Sequence, residues 1–489
     1  MVSLDVLIEG RLAGSLDLPD SGWPRLRYGA TYAQADSVTP LSTLFVPELA
    51  EHSGESLSNW LVGLLPDDER VLDSMRERYG TRKSRPLDLL GTPVGEDCAG
   101  AVQFCPPERT GDLLAGRGGL HPLSDDQLIE CLEEIRRDPA YRPEGYDPAG
   151  GFSLAGMQPK IALRRTPSGW ALPWGAEPTS HIIKITRQET YAHEALMEHV
   201  TMATARRLGL RVPATGVVRH GDLEAIVVTR YDRALRDGQL VRVHQEDLCQ
   251  ASGLHPDYKY QRDGGPSPAE AAALLRRAVG ASGDASAVER LRDLLILQWL
   301  VVHNDAHSKN FSILLASGNR ALAPLYDACT WLPYRRRTPI PKLRIAMKIG
   351  RDYRISAADR AEALIRLADA LRLGKRATAR RVEELAAGLP DALHRTVASL
   401  PAVDQDRPIV ANYIVEQAQR ARRCEQIAQT AAERAAPRRA AARVSPAAPA
   451  KTQATTCQHP CPTKDGRPCG KPVGPSGHCG VPSHDRRRS

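Results

Sequence analysis

The sequence predicts an α+β fold in which a β-rich N-terminal domain precedes a sheet with one inserted helix and a mainly helical second half. Short apolar runs separated by turns fill residues 1–108 and return from residue 151 to about 231. From about residue 244 to 400, apolar residues recur at helical spacing instead. Sheet followed by helices predicts two lobes, with a smaller domain in front of them.

The N-terminal domain is predicted from a hairpin and a pair of helices. VSLDVLIEG turns at Glu9-Gly10 and returns as RLAGSLDL, which is typical of an antiparallel hairpin. SLSNWLVGLLPDDERVLDSMRERYG predicts a helix, a break at its proline and a second helix. Residues 109–150 are rich in Gly, Pro and charge, so we expect them to connect the lobes, although LSDDQLIECLEEIRRD within them has helical spacing.

The second domain, residues 151–400, begins with GFSLAGMQPKIALRR, which predicts two strands around a glycine-containing turn. HIIKIT predicts a short strand, and YAHEALMEHVTMATARRLGL predicts a long helix that ends at Gly209. VPATGVVRHGDLEAIVVTRYDR adds two strands. The predicted order of elements is that of a two-lobed protein kinase.

The C-terminal part predicts a helix over residues 401–443, a flexible linker over 444–456 and a Cys/His-rich tail over 457–489. The chain of 489 residues has a net charge of +8, and residues 434–489 alone carry eleven Lys or Arg against two Asp or Glu. The body of the protein is therefore nearly neutral, and its charge gives no support for general nucleic-acid binding. Six cysteines scattered through the body are expected to be buried apolar side chains.

Membrane insertion and secretion are not expected. The sequence has no run of 18 apolar residues, which a transmembrane helix would need. The first apolar stretch contains Asp5 and Glu9 and is not preceded by the positively charged residues that begin a signal peptide. We therefore expect a cytoplasmic protein.

The strongest chemical motif is LVVHNDAHSKNFSIL at residues 300–314, in which Asp305 and Asn310 have the spacing of a kinase catalytic loop. In that interpretation Asp305 orients the acceptor hydroxyl and accepts its proton, Asn310 offers an amide oxygen to Mg²⁺, and Lys309 steadies the transferred phosphate. The alternative is an ordinary polar loop after a buried helix.

A second acidic candidate is Asp327 in LAPLYDACT, 22 residues after Asp305 and directly after an apolar run. A kinase places its second magnesium ligand at this point. Ala328-Cys329 follows it where kinases usually have Phe-Gly, and the alternative role is that of a turn residue.

Lys184 stands in the middle of HIIKIT, between two isoleucines. A lysine there suits ATP phosphates, because a loop containing Gly156 precedes it and an acid-bearing helix follows. Glu194 and Glu198 lie one turn apart on that helix, so either could orient the lysine. The alternatives are an edge-strand lysine and a solvated helix face.

These motifs occur in an order that resembles the HipA family, the kinase toxins of type II toxin–antitoxin modules. The resemblance rests on SLAGMQPKIAL, HIIKIT, RYDR, HQEDLCQASG, NDAHSKNFSIL and LYDACT, and in the N-terminal part on RPLDLL, AGAVQF and NWLVGLLPDD. It covers roughly residues 3–400. It implies a kinase-like fold with a β-rich N-terminal domain, ATP and Mg²⁺ as cofactors, and activity on protein serine or threonine.

The resemblance also implies roles for individual residues. Thr229, Arg230 and Tyr231 correspond to the segment that meets adenine, largely through backbone groups, although the family usually has Glu where Thr229 stands. Ser153 corresponds to a phosphate-loop serine that such kinases autophosphorylate. Asp305 corresponds to the family's catalytic aspartate, Asn310 and Asp327 to its metal ligands, and Lys184 to the lysine that binds the ATP phosphates. Glu198 corresponds to the acidic partner of that lysine, and the alternative alignment places His193-Glu194 at this position.

The implied partner is a small helix-turn-helix antitoxin that binds DNA, so contact with DNA would be indirect. The implied substrates are translation proteins such as aminoacyl-tRNA synthetases. Two alternative functions stay open at this point: a non-catalytic corepressor that binds an antitoxin, and a small-molecule phosphotransferase with the same lobe plan.

The tail departs from the family. Three thiols and an imidazole suit a structural Zn²⁺, and a segment this short and rich in Gly and Pro lacks a core of its own. The first-choice ligands are Cys461, Cys469, Cys479 and His484, with Cys457, His459 and His478 as rivals. Its positive charge would suit a nucleic acid such as tRNA. The alternative is a disordered basic tail with spare cysteines.

Overall fold

A computed structural model describes residues 2–82, 84–139, 141, 156, 158–186, 191–280, 283–316, 320–335 and 339–436. The chain divides into a compact unit, Met1–Ala435, and a C-terminal unit, Ala436–Ser489. The predictions for Ser153, for the linker 444–456 and for the zinc ligands lie outside the described residues. The same holds for the end of the predicted helix 401–443.

The N-terminal domain is built on an antiparallel five-stranded sheet with the order β4-β3-β2-β1-β5. Glu9 and Gly10 form the turn of the predicted hairpin, with φ values of 52° and 72°, which a tight turn between two strands requires. The strands are β1 (Val2–Ile8), β2 (Arg11–Leu18), β3 (Arg25–Tyr28), β4 (Glu51–Ser53) and β5 (Val102–Cys105).

Two predicted helices cover this sheet, and the chain breaks between them at Pro66 as expected. The indole of Trp60 is fully buried in the domain core, and Asp68 caps the second helix by accepting from Arg70 N. The helices of the domain and its exit are α1 (Ala30–Ala33), α2 (Glu55–Val62), α3 (Glu69–Tyr79) and α4 (Pro107–Leu114).

The small lobe is a six-stranded sheet with the order β10-β11-β9-β7-β8-β6. Residues 109–150, predicted as a connection, contribute the edge strand β6 (Gly118–Leu123) and the helix α5 (Asp125–Arg137), whose apolar face packs into this lobe's core. The other elements are β7 (Lys160–Thr166), β8 (Gly169–Gly175), β9 (His181–Ile185), α6 (Glu194–Arg207), β10 (Thr215–His220) and β11 (Leu223–Thr229).

The large lobe is mainly helical, and a short three-stranded sheet borders the cleft between the lobes. Its strands are β14 (Gln245–Asp247), β15 (Ser312–Leu314) and β16 (Ala321–Leu322), preceded by the hairpin β12 (Arg233–Arg236) and β13 (Gln239–Arg242). Its helices are α7 (Leu248–Ala251), α8 (Pro268–Val279), α9 (Ala287–Leu300), α10 (Ile355–Ala358), α11 (Ala361–Ala370) and α12 (Lys375–Ala398). Among the described residues, no helix is both long and apolar enough to span a membrane.

The predicted C-terminal helix is part of the large lobe. It consists of the short α13 (Ala402–Gln405) and the long α14 (Pro408–Arg434), which packs along α12 and α11. Val410 and Tyr413 are completely buried in the lobe's core, so α14 belongs to the folded body.

The N-terminal domain joins the kinase lobes through buried polar contacts. Asp97 accepts hydrogen bonds from Arg230 and Arg233 at 3.3 and 2.9 Å. Glu246, which is fully buried, accepts from the indole of Trp60 at 3.0 Å and from the hydroxyl of Ser42 at 2.6 Å. Because a buried charge is costly without partners, these contacts fix how the domain sits on the lobes.

Candidate active site

A cavity of about 450 Å³ lies between the two lobes, and the N-terminal domain forms part of its wall. The sequence candidates that the structure describes converge on it, although they are spread over more than 170 positions of the chain. Those that line the cavity are Gly156, Lys184, Glu194, Glu198, Thr229, Arg230, Tyr231, Asp305, Lys309, Asn310 and Asp327.

Lys184 is the fourth of the five residues of β9, and its side chain is 12% exposed. Its Nζ donates to Glu198 Oε1 at 2.9 Å and also binds the carboxylate of Asp327. The structure thereby selects Glu198, rather than Glu194 one turn earlier, as the acidic partner of the lysine. This pairing joins the small-lobe sheet, α6 and the large lobe at one ammonium group.

Charges in this cluster shift one another's protonation. Burial acts to lower the pKa of Lys184, but Asp327 and Glu198 outweigh it and hold that pKa above its usual range. Burial acts to raise the pKa of Asp327, and Lys184 overcomes it. Burial and the neighbouring Glu198 raise the pKa of Glu194 to about 7, and the attraction of Lys184 offsets them only in part.

The catalytic-loop motif follows α9 through a strained residue. Val302 has φ = 56°, a left-handed backbone that a β-branched residue rarely adopts. The loop then closes on itself, because His307 N and Asn310 Nδ2 both donate to the carbonyl of Asp305, at 2.8 and 2.9 Å. Asp305 itself is exposed to the cleft and accepts from the hydroxyl of Tyr260 at 2.6 Å.

Asn310 and Asp327 fit a divalent cation. The amide nitrogen of Asn310 is taken up by the Asp305 carbonyl, which leaves its oxygen as the possible ligand atom. Asp327 also has a left-handed backbone, with φ = 56°, and strain of this kind is concentrated at functional sites. The described residues contain no group of three His, Cys, Asp or Glu side chains that could hold a metal ion. Two oxygen ligands completed by phosphates and water are typical of Mg²⁺.

Lys160, which the sequence interpretation missed, lies directly opposite Lys184 in the pairing of β7 with β9 and lines the same cavity. Burial and the proximity of Lys184 lower its pKa to about 8. Gly156 has φ = 112°, and a Cβ there would come within 2.8 Å of Lys160 Nζ. Two ammonium groups on directly opposite strand positions repel each other. An anionic ligand bound between them would offset that repulsion, so their placement suits such a ligand.

Another part of the cavity wall is formed by the end of β11 and the residues that follow it. Thr229 shares a hydrogen bond of 3.2 Å with the ring of His181, and Tyr231 stacks on Tyr326 with ring centroids 5.2 Å apart. The guanidinium of Arg230 is buried against Asp232 and Asp97, so this side chain is a structural anchor.

Lys309 has its ammonium group fixed by the N-terminal domain. Its Nζ donates to Asp67 Oδ1 at 2.7 Å. Asp67 belongs to LLPDD, a stretch that the sequence interpretation treated as a helix break and as part of the family resemblance, without a role in the active site. Tyr260 was missed likewise, because nothing in its local pattern connects it to a loop 45 residues later.

Two family models match the chain: the HipA N-terminal domain at residues 4–105 and the HipA-like C-terminal domain at residues 152–393. The chain belongs to the HipA family. The candidate kinase Y4mE of Sinorhizobium fredii is 31% identical over 369 residues, which are 73% of this chain and 83% of that protein. The serine/threonine-protein kinase toxin HipA of Shewanella oneidensis is 29% identical over 388 residues, covering 76% and 85% of the two chains.

The fold agrees with a solved HipA structure. The complex of HipA, HipB and operator DNA from the toxin–antitoxin system of Shewanella oneidensis contains a chain that superimposes with a TM-score of 0.73 at 25% identity. The superposition covers 88% of this chain and 99% of that one. The predicted α+β kinase-like fold is confirmed, and the chain is a kinase of the HipA family.

Proposed function

We propose that this protein is an ATP-dependent serine/threonine-protein kinase that acts as the toxin of a type II toxin–antitoxin module. The observation that carries the proposal is the ammonium of Lys184 held between Glu198 and Asp327 in a cavity that Asp305 and Asn310 also line. This arrangement supplies a cation for phosphates, oxygens for a metal and a carboxylate for the acceptor.

The proposed mechanism assigns each step to a residue of the chain. Lys184, held by Glu198, binds the nucleotide phosphates, and Lys160 adds a second cation beside it. Asp305 orients the serine or threonine hydroxyl and accepts its proton as the oxygen bonds to the γ-phosphorus. The bond from that phosphorus to the β,γ-bridging oxygen breaks at the same time, and ADP leaves with that oxygen. Lys309 neutralises charge on the transferred phosphoryl group.

Asn310 and Asp327 are the residues that would hold Mg²⁺. When bound, the ion would neutralise phosphate charge and orient the γ-phosphoryl group. When a nucleotide binds, Lys184 must donate hydrogen bonds to both Asp327 and a phosphate oxygen. It can do so because an ammonium group has three N–H donors.

The proposed partner rests on the matched structure, and the proposed substrate rests on the family resemblance. A small HipB-like helix-turn-helix antitoxin is the proposed partner, because the matched structure is a complex of HipA with HipB and operator DNA. We propose a translation-related protein substrate, such as an aminoacyl-tRNA synthetase, and autophosphorylation at Ser153. The tail zinc site and its contact with nucleic acid stay predictions.

The proposal is tested by incubating the full chain with Mg²⁺–ATP and locating phosphate by mass spectrometry. We expect phosphate on Ser153 and, in a bacterial lysate, on a defined host protein. Asp305→Ala should abolish both, because it removes the group that orients and deprotonates the hydroxyl. Growth arrest on expression, relieved by Asp305→Ala, would support the toxin role.

The outcomes separate the alternative functions. Transfer to a small metabolite instead of protein would favour a small-molecule phosphotransferase. Tight binding of an antitoxin with no phosphoryl transfer would favour the non-catalytic corepressor.

A further inference from the structure

The loop between α2 and α3 reaches from the N-terminal domain to the catalytic loop. Its Asp67 lines the interlobe cavity, and its carboxylate lies between two lysines of the large lobe. Lys309 Nζ donates to one carboxylate oxygen at 2.7 Å, and Lys259 Nζ donates to the other at 3.1 Å. The side chains are 13% exposed for Asp67, 5% for Lys309 and 17% for Lys259.

The carboxylate is ionised in this environment. Burial acts to raise the pKa of Asp67, but Lys309 and Lys259 outweigh it and bring the pKa down to about 2. Asp67, Lys259 and Lys309 together carry a net positive charge, and Asp247 lines the same cavity. A buried ion pair is weak evidence for a stabilising role, because desolvation offsets much of the attraction. A contribution to stability therefore does not explain why this ion pair lies in the wall of the cavity.

The loop that carries Asp67 is rigidly attached to the large lobe. Gln250 Nε2 donates to the carbonyl of Trp60 at 3.0 Å, and Asn59 Nδ2 donates to the carbonyl of Gly253 at 3.0 Å. The indole of Trp60 is bound to Glu246. These bonds fix the end of α2, and with it Asp67, relative to α7 and the turn that contains Lys309.

Lys259 connects the same carboxylate to the catalytic loop by a second route. Its carbonyl accepts from Ser308 N at 3.1 Å and from Ser308 Oγ at 2.9 Å. The next residue, Tyr260, donates to Asp305. Asp67 therefore binds one lysine of the catalytic loop and one lysine of the neighbouring segment that is hydrogen-bonded to that loop.

We infer that Asp67 is a positioning residue for phosphoryl transfer, which holds the ammonium of Lys309 at the point where the transferred group passes. The inference rests on the proposed kinase function. An ammonium has three donors, so Lys309 can bind Asp67 and a phosphoryl oxygen together. The N-terminal domain then completes the catalytic site, and the C-terminal domain by itself lacks one of its groups.

The test compares Asp67→Asn with Asp68→Asn in the full, dephosphorylated chain. Asp68 is the next residue, but its carboxylate caps α3 and pairs with the exposed Arg70. Autophosphorylation is followed with Mg²⁺–ATP at increasing nucleotide concentration. We expect Asp67→Asn to lower the rate at saturating ATP about 10- to 100-fold, with the half-saturating ATP concentration and Tm near wild type. Asp68→Asn should keep the wild-type rate.

A double-mutant cycle separates positioning from a general structural effect. In a Lys309→Ala background, Asp67→Asn should cause less than about a 3-fold further loss, because its target is already gone. A wild-type rate for Asp67→Asn, or the same fractional loss in both backgrounds, would overturn the inference while leaving the kinase function intact. Failure of the wild-type chain to transfer phosphate would overturn the proposed function, and the inference with it.

Discussion

Glu194 and Glu198 lie one turn apart on the same face of α6, and Lys184 donates its hydrogen bond to Glu198. Glu198 is nearly fully buried and binds Lys184, whereas Glu194 lies at the start of the helix with its pKa raised to about 7. The two share a residue type, a helix and a cavity, so they are matched controls for one another. The residue pattern by itself left this choice open, and the family resemblance favoured Glu198.

We predict that Glu198→Gln lowers the rate of phosphoryl transfer about 10- to 100-fold, because an amide holds the Lys184 ammonium less strongly than a carboxylate does. The half-saturating ATP concentration should rise as well. Glu194→Gln should stay within about 3-fold of wild type. Steady-state rates of autophosphorylation measure both, and a larger loss from Glu194→Gln would show that Glu194 is the acidic partner.

At the scale of elements, α14 shows that the C-terminal helix is part of the large lobe. Tyr413 is fully buried between this helix and the core, whereas Val415, two residues later, is 55% exposed. Arg420, further along, donates to Asp359 at 2.7 Å and to the carbonyl of Trp299 at 3.0 Å. A helix so tightly joined to α9 is expected to unfold together with the lobe.

We predict that Tyr413→Ala lowers the free energy of unfolding by about 3–5 kcal/mol, because it leaves a large cavity in the core. Val415→Ala should change it by no more than about 0.5 kcal/mol. Urea denaturation followed by circular dichroism measures both. Equal effects of the two substitutions would mean that α14 does not pack as described.

At the scale of the whole molecule, a buried ionic cluster joins the N-terminal domain to the kinase lobes. Burial acts to raise the pKa of Asp97, but Arg233, Arg242 and Arg230 overcome it and hold that pKa below its usual range. Because the folded pKa lies below the unfolded value of about 3.9, this group stabilises the fold above that pH. The contribution is lost as pH falls from about 4 through the folded pKa.

We predict that Asp97→Asn destabilises the protein by about 3 kcal/mol at pH 7, because it leaves three arginines without their shared carboxylate. The difference from wild type should shrink as pH falls below about 4, because Asp97 of the unfolded chain then takes up a proton, whereas folded Asp97 stays ionised until its lower pKa is reached. Unfolding free energies from pH 7 to 3 measure this difference. A constant difference over that range would contradict the assignment.

The tail gives a prediction of its own. We expect about one zinc ion per chain, bound by Cys461, Cys469, Cys479 and His484, and lost on truncation before Cys457. Kinase activity should survive that truncation, because the catalytic candidates lie within residues 153–327. Metal analysis of protein purified without chelator measures the zinc, and its absence would leave the alternative of a disordered basic tail.

The fold class and most of the catalytic candidates were predictable from the amino-acid sequence alone. Lys184, Asp305, Asn310 and Asp327 occur in the order and spacing that phosphoryl transfer requires, and the structure brings them into one cavity. The hairpin at Glu9-Gly10 was also predictable. These features are local, because a motif or a turn is encoded within a few consecutive residues.

Contacts between residues that lie far apart along the chain were revealed only by the tertiary structure. It selected Glu198 over Glu194, made residues 118–123 a strand of the small lobe and placed Asp67 against Lys309, 242 positions away. Spacing along the chain carries no information about such pairs. They form because burying charged groups is costly without partners, and in a packed protein those partners come from whichever element lies nearest in space.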